Sequence, residues 1–434
     1  MLVRLFGSNF RSFKGKFELS MVAADLKRKE DCDRGVVAVP IAGLAEPLQL
    51  LRTVAIYGPN ASGKSTVLMA GHALEWLVSS SSEQSRPGAE IPRYEPFLLD
   101  EETRTAPIEL GCDVVCSGSL LRYEIVFTAK AIESELLTVF NDHGEVKLID
   151  RQRTGEVGGE LIVHSEANRL YVKEMQPNVA VLSKLAQHGP HKGKDSVQPH
   201  YAAIRNALQW KDYSHAATVP NPQTPENARF ADDVEYREWV MRHLIRPADF
   251  GIRDAKARRV EIPDHVMRDG AIVVDEAKPP AKAVFVFFVH EGSSPQAVSF
   301  PYESSGTQKL YNLSGDWWTL AHEPITLLAD EMGASIHPRL LDRLVRAVND
   351  APADHARSQL IFTTHDTGLL ESQDGQPPAL RRDQVYFTKK DASGVSELYS
   401  LAEFKDDARP VHNIRKRYLS GLYGALPIVE KLSL

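Results

Sequence analysis

The sequence predicts an α/β protein: a mostly parallel sheet flanked by helices, with an antiparallel β subdomain and a helical insertion. Three observations carry this reading. A glycine-bearing stretch at 58–66 lies between an apolar strand-like run (51–57) and a run with helical spacing. Apolar runs at 324–329 and 359–364 flank a helical face, the strand–helix–strand alternation of a parallel sheet. Between 108 and 137, short strand-like segments follow one another across a glycine turn, as in an antiparallel sheet.

Each element follows from its own residues. The segment 2–10 reads as a strand, and 16–21 as a second with Phe17 and Leu19 on one side. After the glycine-bearing loop, Val67, Ala70, Leu74, Leu77 and Val78 share one helical face. The Ser/Glu/Gln/Pro/Gly stretch at 79–90 breaks that pattern and is expected to be mobile. Strands are expected at 108–110, 113–115 and 121–127, with Gly118 in the hairpin turn.

The stretch 187–227, rich in His, Pro, Asn and Gln, reads as a solvated loop. Its His188, His191 and His200 have no carboxylate or cysteine completing a metal-ligand pattern. Residues 232–246 carry Tyr236, Trp239, Val240, His243 and Leu244 on a helical stripe that Pro247 ends, and the stripe reads as packing surface. The run 284–289 reads as a buried strand, and Leu340, Leu341, Leu344, Val345 and Val348 form a helical face. The expected organisation is an N-terminal lobe over 1–140, a variable helical insertion over 141–280 and a C-terminal lobe over 281–434.

Composition sets limits. A chain of 434 residues, 43% apolar, has room for two or three domains or one large domain with insertions. Its net charge of −7 argues against nucleic-acid binding by overall charge and leaves local basic surfaces open. Three cysteines (Cys32, Cys112 and Cys116) make no disulfide framework and fit a reducing compartment. Cys112 and Cys116 lack the companion pair of a zinc site. With no apolar run of the roughly 18 residues a membrane span needs, and no signal-peptide pattern at 1–7, the expectation is a soluble cytoplasmic protein without a membrane partner.

The stretch Gly58, Pro59, Asn60, Ala61, Ser62, Gly63, Lys64, Ser65, Thr66 fits G-x-x-x-x-G-K-[ST]. Its two glycines let the backbone curl so that several N–H groups converge on one anion, and the following helix adds the positive end of its dipole. Lys64 is placed to reach the outer phosphates of a nucleotide, and Ser65 to offer a hydroxyl to Mg2+. Asp330, Glu331 and His365 stand just past apolar strands, at the carboxyl edge where parallel sheets bind ligands. Asp330 is expected to hold the magnesium, Glu331 to orient or deprotonate an attacking water, and His365 to bond the γ-phosphate or the water. A strand-end acidic pair and a structural histidine are the plainer readings; the upstream phosphate loop and the neighbouring strand weigh against them.

Ser304-Ser305-Gly306-Thr307-Gln308 precedes the acidic pair. It resembles the signature of ABC-type ATPases, and the order of phosphate loop, signature, Asp-Glu and His is similar to the ABC/SMC-like branch. The resemblance implies that Ser305, Gly306 and Gln308 belong to the ATP-binding set. Ser305 and Gly306 then act in trans, capping ATP held by a second copy in a head-to-head dimer or higher oligomer. It also places 334–337 at the loop that crosses such an interface.

The segment 9–13, the pair Pro96-Phe97, residues 303–308, 330–338 and the tail 418–427 further resemble the bacterial ABC-like ATP-binding proteins of phage-defence loci, the RloA/AriA-like family. That resemblance implies ATP hydrolysis coupled to a separately encoded effector, often a TOPRIM-type nuclease. The chain departs from the pattern in lacking a clear Q-loop glutamine near Pro96-Phe97 and in carrying Thr307 where transporters carry glycine. Basic clusters at 191–194, 256–259 and 415–417 read first as solvated faces and leave nucleic-acid binding open. The tail reads first as docked on the core. An SMC-like DNA-repair ATPase and a nucleotide-gated scaffold with little turnover are the alternatives.

Overall fold

A computed structural model of the chain describes residues 1–26, 34–153, 160–163, 166–173, 175–193, 195–214, 223–248, 251–263, 265–268, 271–274, 278–292, 296–334, 336–352, 357–373, 375–404 and 413–426. The strands, in chain order, are β1 (Leu2–Ser8), β2 (Phe17–Ser20), β3 (Val36–Val39), β4 (Leu48–Leu51), β5 (Thr53–Tyr57), β6 (Ile108–Cys116), β7 (Ser119–Phe127), β8 (Ile132–Asn141), β9 (Gly144–Gln152) and β10 (Glu160–Val163). They continue with β11 (Gln209–Asp212), β12 (Ile252–Ile262), β13 (His265–Arg268), β14 (Ala271–Val274), β15 (Ala281–His290), β16 (Gln296–Ser299), β17 (Thr326–Asp330), β18 (Gln359–Thr363), β19 (Val385–Lys390) and β20 (Ser396–Ser400). Two compact units result, one of residues 1–212, 323–333 and 341–434, the other of 213–322 and 334–340.

The larger unit is built on a six-stranded sheet ordered β11-β17-β18-β5-β19-β20. The first five strands are parallel and β20 is antiparallel to β19. β5, β17 and β18 are buried at every residue, which is why they read as unbroken apolar runs: a parallel strand covered on both faces has no solvent side to make polar. The Lys64–Ser79 helix packs on this sheet. Gly71 permits the approach, because a Cβ there would meet Leu328 at 2.5 Å.

A seven-stranded antiparallel sheet, β10-β9-β8-β7-β6-β1-β2, adds the expected β subdomain, and β1 and β2 join it from the N-terminus. The segments expected at 108–110 and 113–115 are one strand, continuous through Gly111, where the ring of Phe6 leaves no space for a side chain. The tail docks on the core. The rings of Tyr418 and Tyr423 each stack on Phe387 with centroids 5.3 Å apart, and Tyr399 Oη donates to Tyr423 O at 2.5 Å. Pro427 lies outside the described residues.

Three further sequence expectations differ from the structure. The helix after the phosphate loop runs to Ser79, and the polar stretch at 79–90 also holds a short helix, Ser81–Gln84. Buried Ser81 anchors it, donating to Leu77 O at 2.6 Å and accepting from Ala180 N at 3.1 Å. The described part of 187–227 is not a loop throughout: it holds the Gln198–Asn206 helix, with Ile204 buried, and β11, which extends the parallel sheet beside β17. A one-sided helix and a short edge strand need few apolar residues, so composition alone misreads them. The stretch 141–280, expected to be helical, holds β9 to β14 as well as helices. Partners such as β15 for β12 lie beyond any local window.

The smaller unit has a three-stranded sheet, β12-β15-β16, and the 18-residue Ser305–His322 helix. The stripe expected at 232–246 forms helix Val234–Val240 and a π-helical turn, Met241–Ile245, with Tyr236, Val240 and Leu244 buried. Tyr236 is edge-on to Phe230 and Trp318 in its packing. Among the described residues no helix is long and apolar enough to cross a membrane.

His72, on the Lys64–Ser79 helix, stacks on Trp210 with ring centroids 4.5 Å apart and accepts from Arg93 at 2.8 Å. Burial and the Arg93 charge lower its pKa to about 4. The folded value lies below the unfolded value of about 6.5, so the unfolded chain binds the extra proton between them and the contribution to stability is lost as pH falls through that window. Urea midpoints measured from pH 7 to pH 4 should fall, and His72→Phe should flatten that slope.

Candidate nucleotide-binding site

Three neighbouring parallel strands, β17, β18 and β5, end on one edge, with Ala329 paired to Phe362 and Thr363 to Ile56. Asp330 closes β17, His365 follows β18 and Gly58 follows β5. The topology therefore gathers the phosphate loop, the acidic pair and the histidine from stretches far apart in sequence, at the edge where such sheets receive ligands.

The loop is built by backbone conformations that suit few residues. Gly58 and Gly63 have φ of 155° and 106°, and Ala61 has 60°. A Cβ on Gly58 would lie 2.5 Å from Thr388 O, so only glycine fits. Ser62 is buried and shares a 2.6 Å hydrogen bond with Thr388 Oγ1, which pins the loop to β19. Asn60 and Ala61 are exposed at its rim and Pro59 is half-buried. Lys64 Nζ turns back to donate to Gly58 O at 3.0 Å and Pro59 O at 2.9 Å. Burial lowers its pKa, while Glu331 and Asp330 oppose the shift.

Ser65 Oγ donates to Asp330 Oδ1 at 3.0 Å. Thr363 Oγ1 donates to the same oxygen at 2.5 Å and accepts from Glu331 N at 2.8 Å. One hydroxyl thus fixes both members of the acidic pair. Glu331 takes a left-handed backbone, φ 51°, which a β-carbon makes costly by about 1–3 kcal/mol. Asn9 and Arg11 (φ 53° and 52°) share this conformation. They belong to a segment beside the loop, where Ser12 Oγ lies 3.4 Å from Thr66 Oγ1. The oxygens of Ser65 and Asp330 are a hard donor pair of the kind Mg2+ takes, and the loop's curled backbone suits phosphate. The residues present therefore fit a magnesium–nucleotide.

His365 is exposed at the edge. Partial desolvation and the nearby Lys64 charge hold its pKa below the ordinary histidine value, with Glu331 acting in the opposite sense. The ring is therefore neutral at pH 7.

Sequence reasoning did not single out Thr363 or Thr388; the only local signal for Thr363 was its place two residues before His365. Asn9 was noted for its resemblance alone, and the structure gives it work. It is buried, its Nδ2 donates to Thr103 O, Ala106 O and Pro107 O at 3.0–3.2 Å, and its Oδ1 accepts from Phe97 N at 3.1 Å. Segment 9–13 and the pair Pro96-Phe97 are thereby one construction.

The signature lies in the smaller unit. Ser304 Oγ accepts from Thr307 N at 3.2 Å and so caps the Ser305–His322 helix. Ser305 is exposed and Gly306 partly so, and both sit in the first turn, where helix N–H groups have no intrahelical partner. Gln308 turns back to donate to Pro301 O at 3.1 Å and Glu303 O at 3.0 Å, so its amide braces the entry loop. His337 Nδ1 accepts from Arg339 N at 3.2 Å, while Ser335, in the same loop, lies outside the described residues.

Residues 196–371 match the family model described as "AAA domain, putative AbiEii toxin, Type IV TA system". The match spans β11, the signature helix, the acidic pair and His365, and begins after the phosphate loop. No curated protein matches the chain. Solved structures similar to it include an SMC head bound to the C-winged helix domain of ScpA (12% identity, 92% of this chain and 97% of that chain covered, TM-score 0.42). Another is the SMC head domain from Thermotoga maritima (12% identity, 92% and 98% covered, TM-score 0.39). A third is the Smc head domain with an extended coiled coil bound to the C-terminal domain of ScpA derived from Pyrococcus furiosus (11% identity, 92% and 96% covered, TM-score 0.37). Over 196–371 the chain is similar to that AAA-domain family, and the α/β core and the phosphate-loop geometry are compatible with the likeness.

Thr363→Val removes a donor to Asp330 and the acceptor for Glu331 N. Chemical denaturation should show a loss of about 1–3 kcal/mol, and Thr363→Ser should recover most of it.

Proposed function

We propose that the chain is a Mg2+-dependent ATPase that binds and hydrolyses ATP between two copies of itself. The observation that carries the reading is the joint hold of Ser65 and Thr363 on Asp330, one residue from Glu331 and on the same sheet edge as Lys64 and His365. Lys64 and the N–H groups of 58–66 bind the phosphates, exchanging the loop carbonyls that now hold the ammonium for phosphate oxygens. Ser65 and Asp330 hold the magnesium, which when bound neutralises charge on the phosphate oxygens. Glu331, fixed through its backbone by Thr363, orients the attacking water and takes its proton. Neutral His365 hydrogen-bonds the γ-phosphate or that water. Ser305 and Gly306 of a second copy supply first-turn N–H and hydroxyl donors to the γ-phosphate.

In this reading residues 1–140 bring the phosphate loop, residues 281–434 bring the signature, acidic pair and His365, and 141–280 adapts the machine to its trigger. We place the protein in the cytoplasm as the sensor or regulator of an anti-phage system acting through a separate effector, a nuclease or toxin. The defence-family segments and the toxin–antitoxin description of the matching domain support this.

Lys64→Ala should abolish ATP binding, and unchanged affinity in calorimetry would sink the assignment of the loop. Glu331→Gln and Ser305→Arg should keep ATP affinity within about twofold yet lower turnover by about a hundredfold or more. Full turnover in Ser305→Arg would rule out completion of the pocket by a second copy. Retained biological function in Glu331→Gln would favour a nucleotide-gated scaffold.

A further inference from the structure

The basic cluster at 256–259 does not act as one patch. β12 pairs antiparallel with β15, with Lys256 opposite Phe287, Arg258 opposite Phe285 and Arg259 opposite Val284. Directly opposed residues share a face, and neighbours along a strand alternate. One face therefore carries Ala255 and Arg259 with Val284, Val286 and Phe288. It is the packed face: these three β15 residues are buried, Arg259 pairs with Asp232 of the Pro225–Asp232 helix, and Asn227 of that helix bonds Val284 O.

The opposite face carries Lys256 and Arg258 on β12 beside Phe287 and Phe285 on β15. Both cations are exposed and both rings are half-buried. The one acidic side chain that the register adds to this face over 254–262 is Asp254, and its Oδ1 already accepts from Ala255 N at 2.9 Å. On the outer side of β15, β16 contributes small residues to this face, Ser299 opposite Phe287 and Ala297 opposite Val289.

We propose that this sheet face is a binding platform for single-stranded nucleic acid, with Phe285 and Phe287 stacking bases and Lys256 and Arg258 holding the phosphates that flank them. Cations and rings alternate across the strand pair at cross-strand distances, about 5 Å between Cβ atoms, so one strand of nucleic acid can meet rings and charges together. Rings alone would suit an apolar protein partner and charges alone any anion; the combination selects a polyanion with flat apolar faces. The face lies wholly in the smaller unit, whereas the phosphate loop lies in the larger. The inference is therefore independent of the proposed ATPase activity.

The test is fluorescence anisotropy of the full chain with labelled oligo(dT) and oligo(rU) 20-mers and a 20-base-pair duplex, over a salt series. The wild type should bind one or both single strands, and bind the duplex at least about tenfold more weakly. Lys256→Glu with Arg258→Glu should weaken single-strand binding about tenfold or more and flatten its salt dependence, since each lost phosphate contact removes about 0.7 from the log–log slope. Phe285→Leu with Phe287→Leu keeps the positions apolar and removes the stacking, and should weaken binding about fivefold or more. Lys192→Glu, in a different basic cluster, should change nothing. ATP affinity and circular dichroism, unchanged in every variant, establish that the fold is intact. Absence of single-strand binding by the wild type, equal binding of duplex, or affinity indifferent to either double substitution would overturn the proposal.

Discussion

The hydroxyl of Thr363 is the point on which the site depends. It meets Asp330 Oδ1 and Glu331 N at once, across the boundary between β18 and β17. Without it Ser65 alone would hold the carboxylate, and the left-handed glutamate would lose its backbone anchor. Both are held because the two strands are in register and buried throughout. The central sheet thus does more than supply a core: its parallel register sets how close the phosphate loop, the acidic pair and the histidine loop come to one another.

How much of this the sequence discloses depends on how local the cause is. The phosphate loop is legible because its chemistry needs fixed residues at fixed spacing, and the structure accounts for each: Gly58 against Thr388 O, Ser62 on Thr388, Ser65 on Asp330. The buried strands are legible because two-sided burial leaves continuous apolar runs. β11 and the Gln198–Asn206 helix were hidden, since a strand at the sheet edge beside β17 and a helix with one buried stripe leave almost no compositional trace. Thr363 was hidden for another reason. Its importance lies in a partner 33 residues away on a neighbouring strand, and nothing in Phe362-Thr363-Thr364 signals which hydroxyl turns toward Asp330.

The same contrast separates the two basic readings in the smaller unit. In sequence, 256–259 is one run of charge. Strand alternation divides it, sending Arg259 to an ion pair with Asp232 and leaving Lys256 and Arg258 beside aromatic rings. Charge clusters on strands should be read with period two before they are counted as patches.

The docked tail has a mechanical corollary. Tyr418 touches both Phe387 and Tyr57, and Tyr57 Oη donates to Asp366 O at 3.0 Å, next to His365. Arg415 grips the same loop through Thr367 and Glu371. Tension on the C-terminal segment is therefore met first by Tyr423 on Phe387 and Tyr399, and then reaches the backbone beside His365, some fifty residues upstream in sequence. A fusion or affinity handle attached there needs a slack spacer, or it will tug on the histidine it was meant to leave alone.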